Sequence, residues 1–301
     1  MALQLPLTLP LQVKEGLEEV EKRLSNMGFN NFRDTKLSTA SLHLIKAGGK
    51  LVRPALVLLG SYATNGINAK TIEAAVAVEL IHTASLIHDD LIDKDDLRRG
   101  VVTVHKLFGE EFAVLSGDLL ISKAIELSAS CGEDAIKELA RAAMDMCEGE
   151  ARDFEAQASG SVLELNDYLE VVRLKTASLI SASAAIGGLV SNAHPNDVDL
   201  LREYGRNLGM AFQIRDDYFN ALGLFADKPK STGNDLHRNR PNVISSLMLE
   251  MNLKEALEFA IRLNRSYIES AKNTVKALGV EGELLASYSE YMLIEVDSVE
   301  F

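Results

Sequence analysis

LIHDDLIDKDDLRRG, residues 86–100, follows directly on AAVAVELIHTAS, residues 74–85, and this junction decides how the chain is read. An apolar run ends in aspartates at 89, 90, 93, 95 and 96, then in Arg98 and Arg99. A surface helix spreads its charges along the face opposite an apolar stripe. Here the segment is apolar all round and the charges collect at one end, which predicts a buried helix whose C-terminus carries chemistry.

Outward from this helix, apolar residues keep the helical period and strand-type alternation is scarce. Helices are expected near 11–28, 36–47, 50–64, 69–93, 109–130, 133–158, 166–190, 196–223, 241–249, 252–278 and 280–297, separated by breaks such as Gly48-Gly49, Gly100 and the HPND turn at 194–197. Ser161 or Asn166 is the expected cap of the helix after residue 160, and Asn196 or Asp197 of the next. TASLISASAAIGGLV, residues 176–190, predicts close helix packing through its small side chains. No linker or repeat divides the chain, so residues 1–301 read as one all-α domain. The polar stretch 224–241 reads as a functional loop.

Composition narrows the function. The 301 residues are 47% hydrophobic and 25% charged, a globular balance. A net charge of −13 excludes a nucleic-acid partner, which needs a basic face. No apolar stretch reaches the roughly 18–20 residues of a membrane span. The N-terminal MALQLPLTLP lacks the basic region of a signal peptide. Cys131 and Cys147 are too few for a disulfide framework and read as reduced, buried thiols of a cytoplasmic protein.

On a helix Asp89 and Asp93 lie on one face about 6 Å apart along the axis, and Asp90 points elsewhere. One such cluster reads equally well as a solvated helix end. A second cluster, MAFQIRDDYFNALG at 210–223, repeats the arrangement: Asp216 and Asn220 are i and i+4, Gln213 lies one turn earlier and Asp217 is the offset acid. Its flanks are apolar, and buried acids need partners. Two such helices facing one cavity could hold Mg²⁺, which binds through a few carboxylates plus substrate phosphates. Candidate cations for a diphosphate are Lys50 and Arg53 at helical i, i+3 spacing, Arg98, Arg99, and Lys175 beside Thr176 in an apolar helix. His82, two turns before Asp89, faces the same side.

GGKLVRP, ELIHTASLIHDDLIDKDDLRRG, RLKTASL and FQIRDDYFN resemble, in order, the motifs of the trans-isoprenyl (polyprenyl) diphosphate synthases. The resemblance implies a helical bundle around a central cavity, a homodimer, and three Mg²⁺ ions when substrate is bound. It implies the joining of isopentenyl diphosphate to an allylic diphosphate. By position, Asp89, Asp93 and Asp216 match metal ligands, while Asp90, Arg98, Lys175 and Asp217 complete the catalytic set. Lys50, Arg53, His82 and Arg99 match the isopentenyl diphosphate site. Arg98, Lys175, Thr176 and Gln213 match the allylic side, which Lys230 (or Lys228) and Arg240 are expected to complete. Asn220 departs from the family's aspartate, and the chain after Arg240 is shorter than the family pattern.

The resemblance also places a product channel along the helix of Asp89. Ala84 and Ser85 lie about 6 to 7.5 Å deeper, where family members that stop early carry aromatics. Ile81, Val78, Ala77 and Ala74 continue without a plug. The expectation is a product longer than C15, in the range C25–C40, with a short-chain C15–C20 synthase as the alternative. A class I terpene cyclase would need a different second metal motif from NDLHRNRP and would have no use for GGKLVRP. A non-catalytic subunit would have lost more than the one acid at Asn220.

Overall fold

The computed structural model describes residues 9–29, 35–223 and 241–294. In chain order these form α1 (Leu11–Ser25), α2 (Lys36–Lys46), α3 (Val52–Tyr62) and α4 (Ala69–Ile92). A hairpin of β1 (Leu97–Arg98) and β2 (Val101–Val102) follows, then α5 (Val104–Phe108), α6 (Glu110–Ser128), α7 (Glu133–Ser159) and α8 (Leu165–Val172). A π-helical turn at Arg173–Ala177 leads into α9 (Ser178–Val190), α10 (Pro195–Ala221), α11 (Val243–Leu247), α12 (Leu253–Val275) and α13 (Val280–Ser289). The expected helices are present and the fold is all-α. The tiny hairpin is the one strand pairing among the described residues, and the expected helix 166–190 is broken by the π turn.

The helix α4 is the central element. Asn68 and Thr71 close a reciprocal capping box at its start, satisfying orphan N–H groups. Beyond the cap it is buried nearly all round by Val76, Ala77, Val78, Leu80, Ala84 and Ile87, as a helix apolar on every face must be. Its neighbour pair, α3 and α9, crosses at glycines. A Cβ at Gly60 would stand 2.4 Å from the Ala184 carbonyl oxygen, and one at Gly187 would stand 2.2 Å from that of Val57. The small-residue run of α9 therefore does pack backbone against backbone.

Two apolar clusters share α10. The larger is built around α3, α4 and α9 and takes Tyr204, Leu208 and Ala211 from α10. The smaller joins Tyr168 and Val172 to Ile214, Tyr218, Val243 and Leu257. Among the described residues no helix is long and apolar enough to cross a membrane.

Several local expectations change. His194, not Asn196 or Asp197, caps α10 by accepting from the Asn196 N–H, with Pro195 at the first helical position where its missing N–H costs nothing. Glu164, not Ser161 or Asn166, precedes α8, with no side-chain cap bond. Lys50 lies outside α3, which starts at Val52 after a left-handed Leu51 (φ 49°), so Lys50 and Arg53 are not helical i, i+3 neighbours. Cys131 is buried, but Cys147 is exposed.

Candidate active site

The two adjacent arginines after α4 serve different places because the chain turns between them and Val101. Arg99 (φ 52°) and Gly100 (φ 79°) both take positive φ, the pattern of a tight type I′ hairpin turn. Arg98 folds back on α4: its Nε lies 2.6 Å and its Nη2 2.5 Å from Asp90 Oδ1, and Nη2 lies 3.5 Å from Asp95. Asp90 is 2% exposed. It is thus the inward anchor of Arg98 rather than a second carboxylate beside Asp89.

Arg99 goes the other way. Its guanidinium lies 3.4 Å from Glu79 Oε1 and 3.4 Å from the Leu44 carbonyl. It passes so close to Gly49 that a Cβ there would stand 3.0 Å from Nη2, which is why the GG pair precedes Lys50. Beside it, Arg53 Nη1 lies 3.0 Å from His82 Nε2. Burial, followed by Arg53, holds the His82 imidazole well below its ordinary value, so the ring is neutral and accepts from Arg53. Burial pulls the Arg53 guanidinium down to about 10 against the attraction of Glu79, Asp216 and Asp89. Lys50 is exposed.

A further cation comes from the π turn. An extra residue in the helical turn re-aims side chains and is frequent at functional sites. Here it presents Lys175 to α7, where Glu150 Oε2 lies 2.6 Å and Asp153 Oδ2 2.5 Å from Nζ. Burial opposes its charge, but Asp153, Glu150 and Asp89 outweigh burial and hold the ammonium above its ordinary value. The close approach needs Gly149, whose Cβ would fall 2.4 Å from the Lys175 backbone nitrogen.

Thr176, next in the turn, donates to Gln213 Oε1 at 2.9 Å, and Gln213 Nε2 donates to Asp217 Oδ1 at 2.8 Å. Asp217 Oδ2 accepts from the Tyr168 hydroxyl and, at 2.8 Å, from the Val243 N–H. Burial pushes the Asp217 carboxyl up to about 7 despite these bonds. Asp217, like Asp90, therefore points into the protein and braces the site, tying α8, α10 and α11 together.

The other residues of the two acidic motifs, Asp89 on α4, Asp93 at its C-cap, and Asp216 and Asn220 on α10, are half-buried. Burial, with Glu150 next, pushes the Asp89 carboxyl up to about 7. An acid so placed is stabilised by a cation, and hard carboxylate oxygens suit Mg²⁺. Among the described residues no group of three or more acidic, histidine or cysteine side chains is arranged to hold a metal ion by itself. The carboxylates of Asp89, Asp93 and Asp216 are hard oxygen donors of the kind that bind Mg²⁺ together with substrate phosphate. Ala84 is fully buried, and Ser85 is half-buried with its hydroxyl bonded to the His82 carbonyl at 2.9 Å. Ile81, Val78, Ala77 and Ala74 are buried below them. Lys228, Lys230 and Arg240 lie outside the described residues.

Sequence reasoning missed Glu79, Glu150, Asp153 and Tyr168. The first was legible as the lone acid inside AAVAVELI, and EGEARD shows Glu150 and Asp153 one turn apart behind a glycine in mid-helix, an unfavourable position without a packing reason. Nothing in the sequence singles out Tyr168.

Comparison with known proteins agrees with this geometry. The family model described as polyprenyl synthetase matches residues 34–278. The geranylfarnesyl diphosphate synthase of Aeropyrum pernix is 41% identical over 233 residues, 72% of this chain and 72% of that protein. The geranylgeranyl diphosphate synthase of Methanosarcina mazei is 34% identical over 293 residues, 87% and 90% of the two chains. The structure of a geranylgeranyl pyrophosphate synthetase from the archaeon Geoglobus acetivorans matches with a TM-score of 0.80 at 30% identity, over 94% of this chain and 98% of that one. Fold, motifs and matches together define an all-α prenyltransferase of isoprenoid synthesis. The chain belongs to the polyprenyl synthetase family.

Proposed function

We propose that this prenyltransferase adds isopentenyl diphosphate to an allylic diphosphate with Mg²⁺ and stops at 20 to 25 carbons. One observation carries the reading. In a chain whose residues 34–278 match the polyprenyl synthetase family, Arg98 is held by Asp90 at the aspartate-rich end of α4, Arg53 pairs with His82 on the same helix, and Lys175 of the π turn is held by Glu150 and Asp153.

Isopentenyl diphosphate would sit against Lys50, Arg53, His82 and Arg99. The allylic diphosphate would lie toward Arg98, Lys175, Thr176 and Gln213. Mg²⁺, up to three ions held by Asp89, Asp93 and Asp216, would neutralise the leaving diphosphate. Lys175 and Arg98, fixed in advance by Glu150, Asp153 and Asp90, stabilise charge as it develops on the departing oxygen. The allylic C–O bond breaks with its electron pair going to diphosphate. The double bond of isopentenyl diphosphate supplies the electrons of the new C–C bond, and loss of a proton, taken up by the released diphosphate, forms the new double bond. No protein base is required.

The small side chains of Ala84 and Ser85, with no aromatic at Ile81, Val78, Ala77 or Ala74 beneath them, support lengths of C25–C40, and the relatives named as geranylgeranyl and geranylfarnesyl synthases support C20 and C25. C25 is common to both. Exposed apolar side chains on α6 (Val114, Leu115, Ile125) and α7 (Met144, Phe154) support a homodimer, and two free cysteines support a cytoplasmic setting. The test is incubation with Mg²⁺, labelled isopentenyl diphosphate and C5, C10, C15 or C20 primers, with products separated by length. A ladder ending at C20 or C25 is expected. One running past C30 would overturn the length, and no incorporation from any primer would overturn the synthase reading.

A further inference from the structure

We infer that Glu79 is a positioning residue for isopentenyl diphosphate: it holds the fork of Arg99, beside the Arg53–His82 pair, so that it faces the incoming diphosphate. The inference rests on the assignment of this corner to isopentenyl diphosphate. It concerns a carboxylate that none of the motifs carrying phosphate or metal contacts includes among its ligands.

Glu79 is 4% exposed, one turn before His82 on α4. Burial pushes its carboxyl up, and the positive charges of Arg99, whose Nη2 lies 3.4 Å away, and of Arg53 oppose that push. The arginines repel each other, and Arg99 makes the Arg53 charge harder to keep. Without a countercharge, two buried guanidiniums would swing apart or toward water, because an unpaired buried charge is costly. Glu79 supplies one negative charge against two positive ones, and His82 is neutral. The corner therefore keeps a net positive charge for a phosphate anion while its cations stay together.

Packing does not do this work for Arg99. Arg99 lines an open pocket of about 80 Å³ together with Lys46, Gly49, Glu79 and Thr83. The Thr83 hydroxyl is 1% exposed and has no protein hydrogen-bond partner. With open space on one side, the orientation of Arg99 rests on Glu79 and the Leu44 carbonyl. Its backbone at φ 52° aims the side chain into this corner but does not fix the fork.

A purely structural countercharge and a positioning residue make different predictions. The experiment compares the full-length wild type with Glu79→Gln, which keeps shape and loses charge, and Glu79→Asp, which keeps charge and withdraws it by one methylene. Steady-state KM is measured separately for each substrate, and the thermal shift produced by isopentenyl diphosphate alone is recorded. Glu79→Gln is expected to raise KM for isopentenyl diphosphate about tenfold, the equivalent of about 1.4 kcal/mol, and to shrink the thermal shift. KM for the allylic substrate and kcat stay within about threefold, as expected when an interaction common to ground and transition states is lost. Glu79→Asp falls between, and carries the test if Glu79→Gln does not fold. An unchanged or lower KM for isopentenyl diphosphate, or equal changes in both KM values, overturns the inference. If the wild type makes no product but is stabilised by isopentenyl diphosphate, and the variants lose that shift, the synthase reading fails and this one stands.

Discussion

Gly149→Ala tests whether α7 positions Lys175. A Cβ at residue 149 would meet the Lys175 backbone nitrogen at 2.4 Å, its Cα at 2.8 Å and Leu174 Cβ at 2.9 Å. Two of the three are backbone atoms, so no side-chain rotation relieves the clash. Ordinary contact begins near 3.4 Å, so the π turn must retreat by about 1 Å. Overpacking of this kind costs about 1–3 kcal/mol, and the gain from replacing a mid-helix glycine offsets about 0.5–1 kcal/mol of it. A net loss of roughly 0.5–2 kcal/mol is expected in urea unfolding. The catalytic effect is larger. Lys175 is drawn away from Glu150, Asp153 and the Asp89 side of the cleft, and a 1 Å misplacement costs on the order of 10²-fold in rate. Unfolding curves and kcat/KM should be measured on the same preparations, at a temperature where the variant is folded by circular dichroism. Gly28→Ala is the control, because a Cβ there meets nothing within 4 Å. A Gly149→Ala enzyme with kcat/KM within about twofold of wild type would refute the argument that the glycine exists to seat the π turn.

Ala84→Phe places a ring at a fully buried position one turn below Asp89 and should shorten the labelled product ladder; an unchanged terminus would show that the channel does not run along this face. The pH dependence of the metal-free protein reports on the buried acids. The folded Asp217 carboxyl at about 7 lies above its ordinary 3.8, so between these values the folded state binds more protons than the unfolded chain. Stability therefore falls as pH rises through this window and levels off above about 7. Asp89, also near 7, contributes to the same slope. Urea midpoints taken in chelator between pH 4.5 and 7.5 should fall less steeply for Asp217→Asn than for wild type, and identical slopes would refute the shift assigned to Asp217.

Much of this protein is legible in its amino-acid sequence. The helix expected over 69–93 is Ala69–Ile92, and the one expected over 196–223 is Pro195–Ala221, because helical periodicity is a local property that each segment carries alone. The gathering of acids at the ends of two apolar helices is equally local, and so is the small-residue run that lets α9 meet α3. Orientation and partnership are not. Arg98 and Arg99 are neighbours in sequence, yet the tight turn sends one to Asp90 and the other to Glu79. Asp90 and Asp217 read as the acids offset from the metal-facing pairs, but their partners, Arg98 for the one and Gln213, Tyr168 and the start of α11 for the other, come from the fold. Lys175 falls within a helical pattern, but nothing local announces its π turn or its grip by Glu150 and Asp153, more than twenty residues earlier. By itself the sequence determined the helices, their buried faces and the residue types available for phosphate and metal. Which partner each bracing carboxylate takes was decided by the tertiary structure alone. That choice depends on the charge opposite each acid, and those charges arrive from helices remote in the chain.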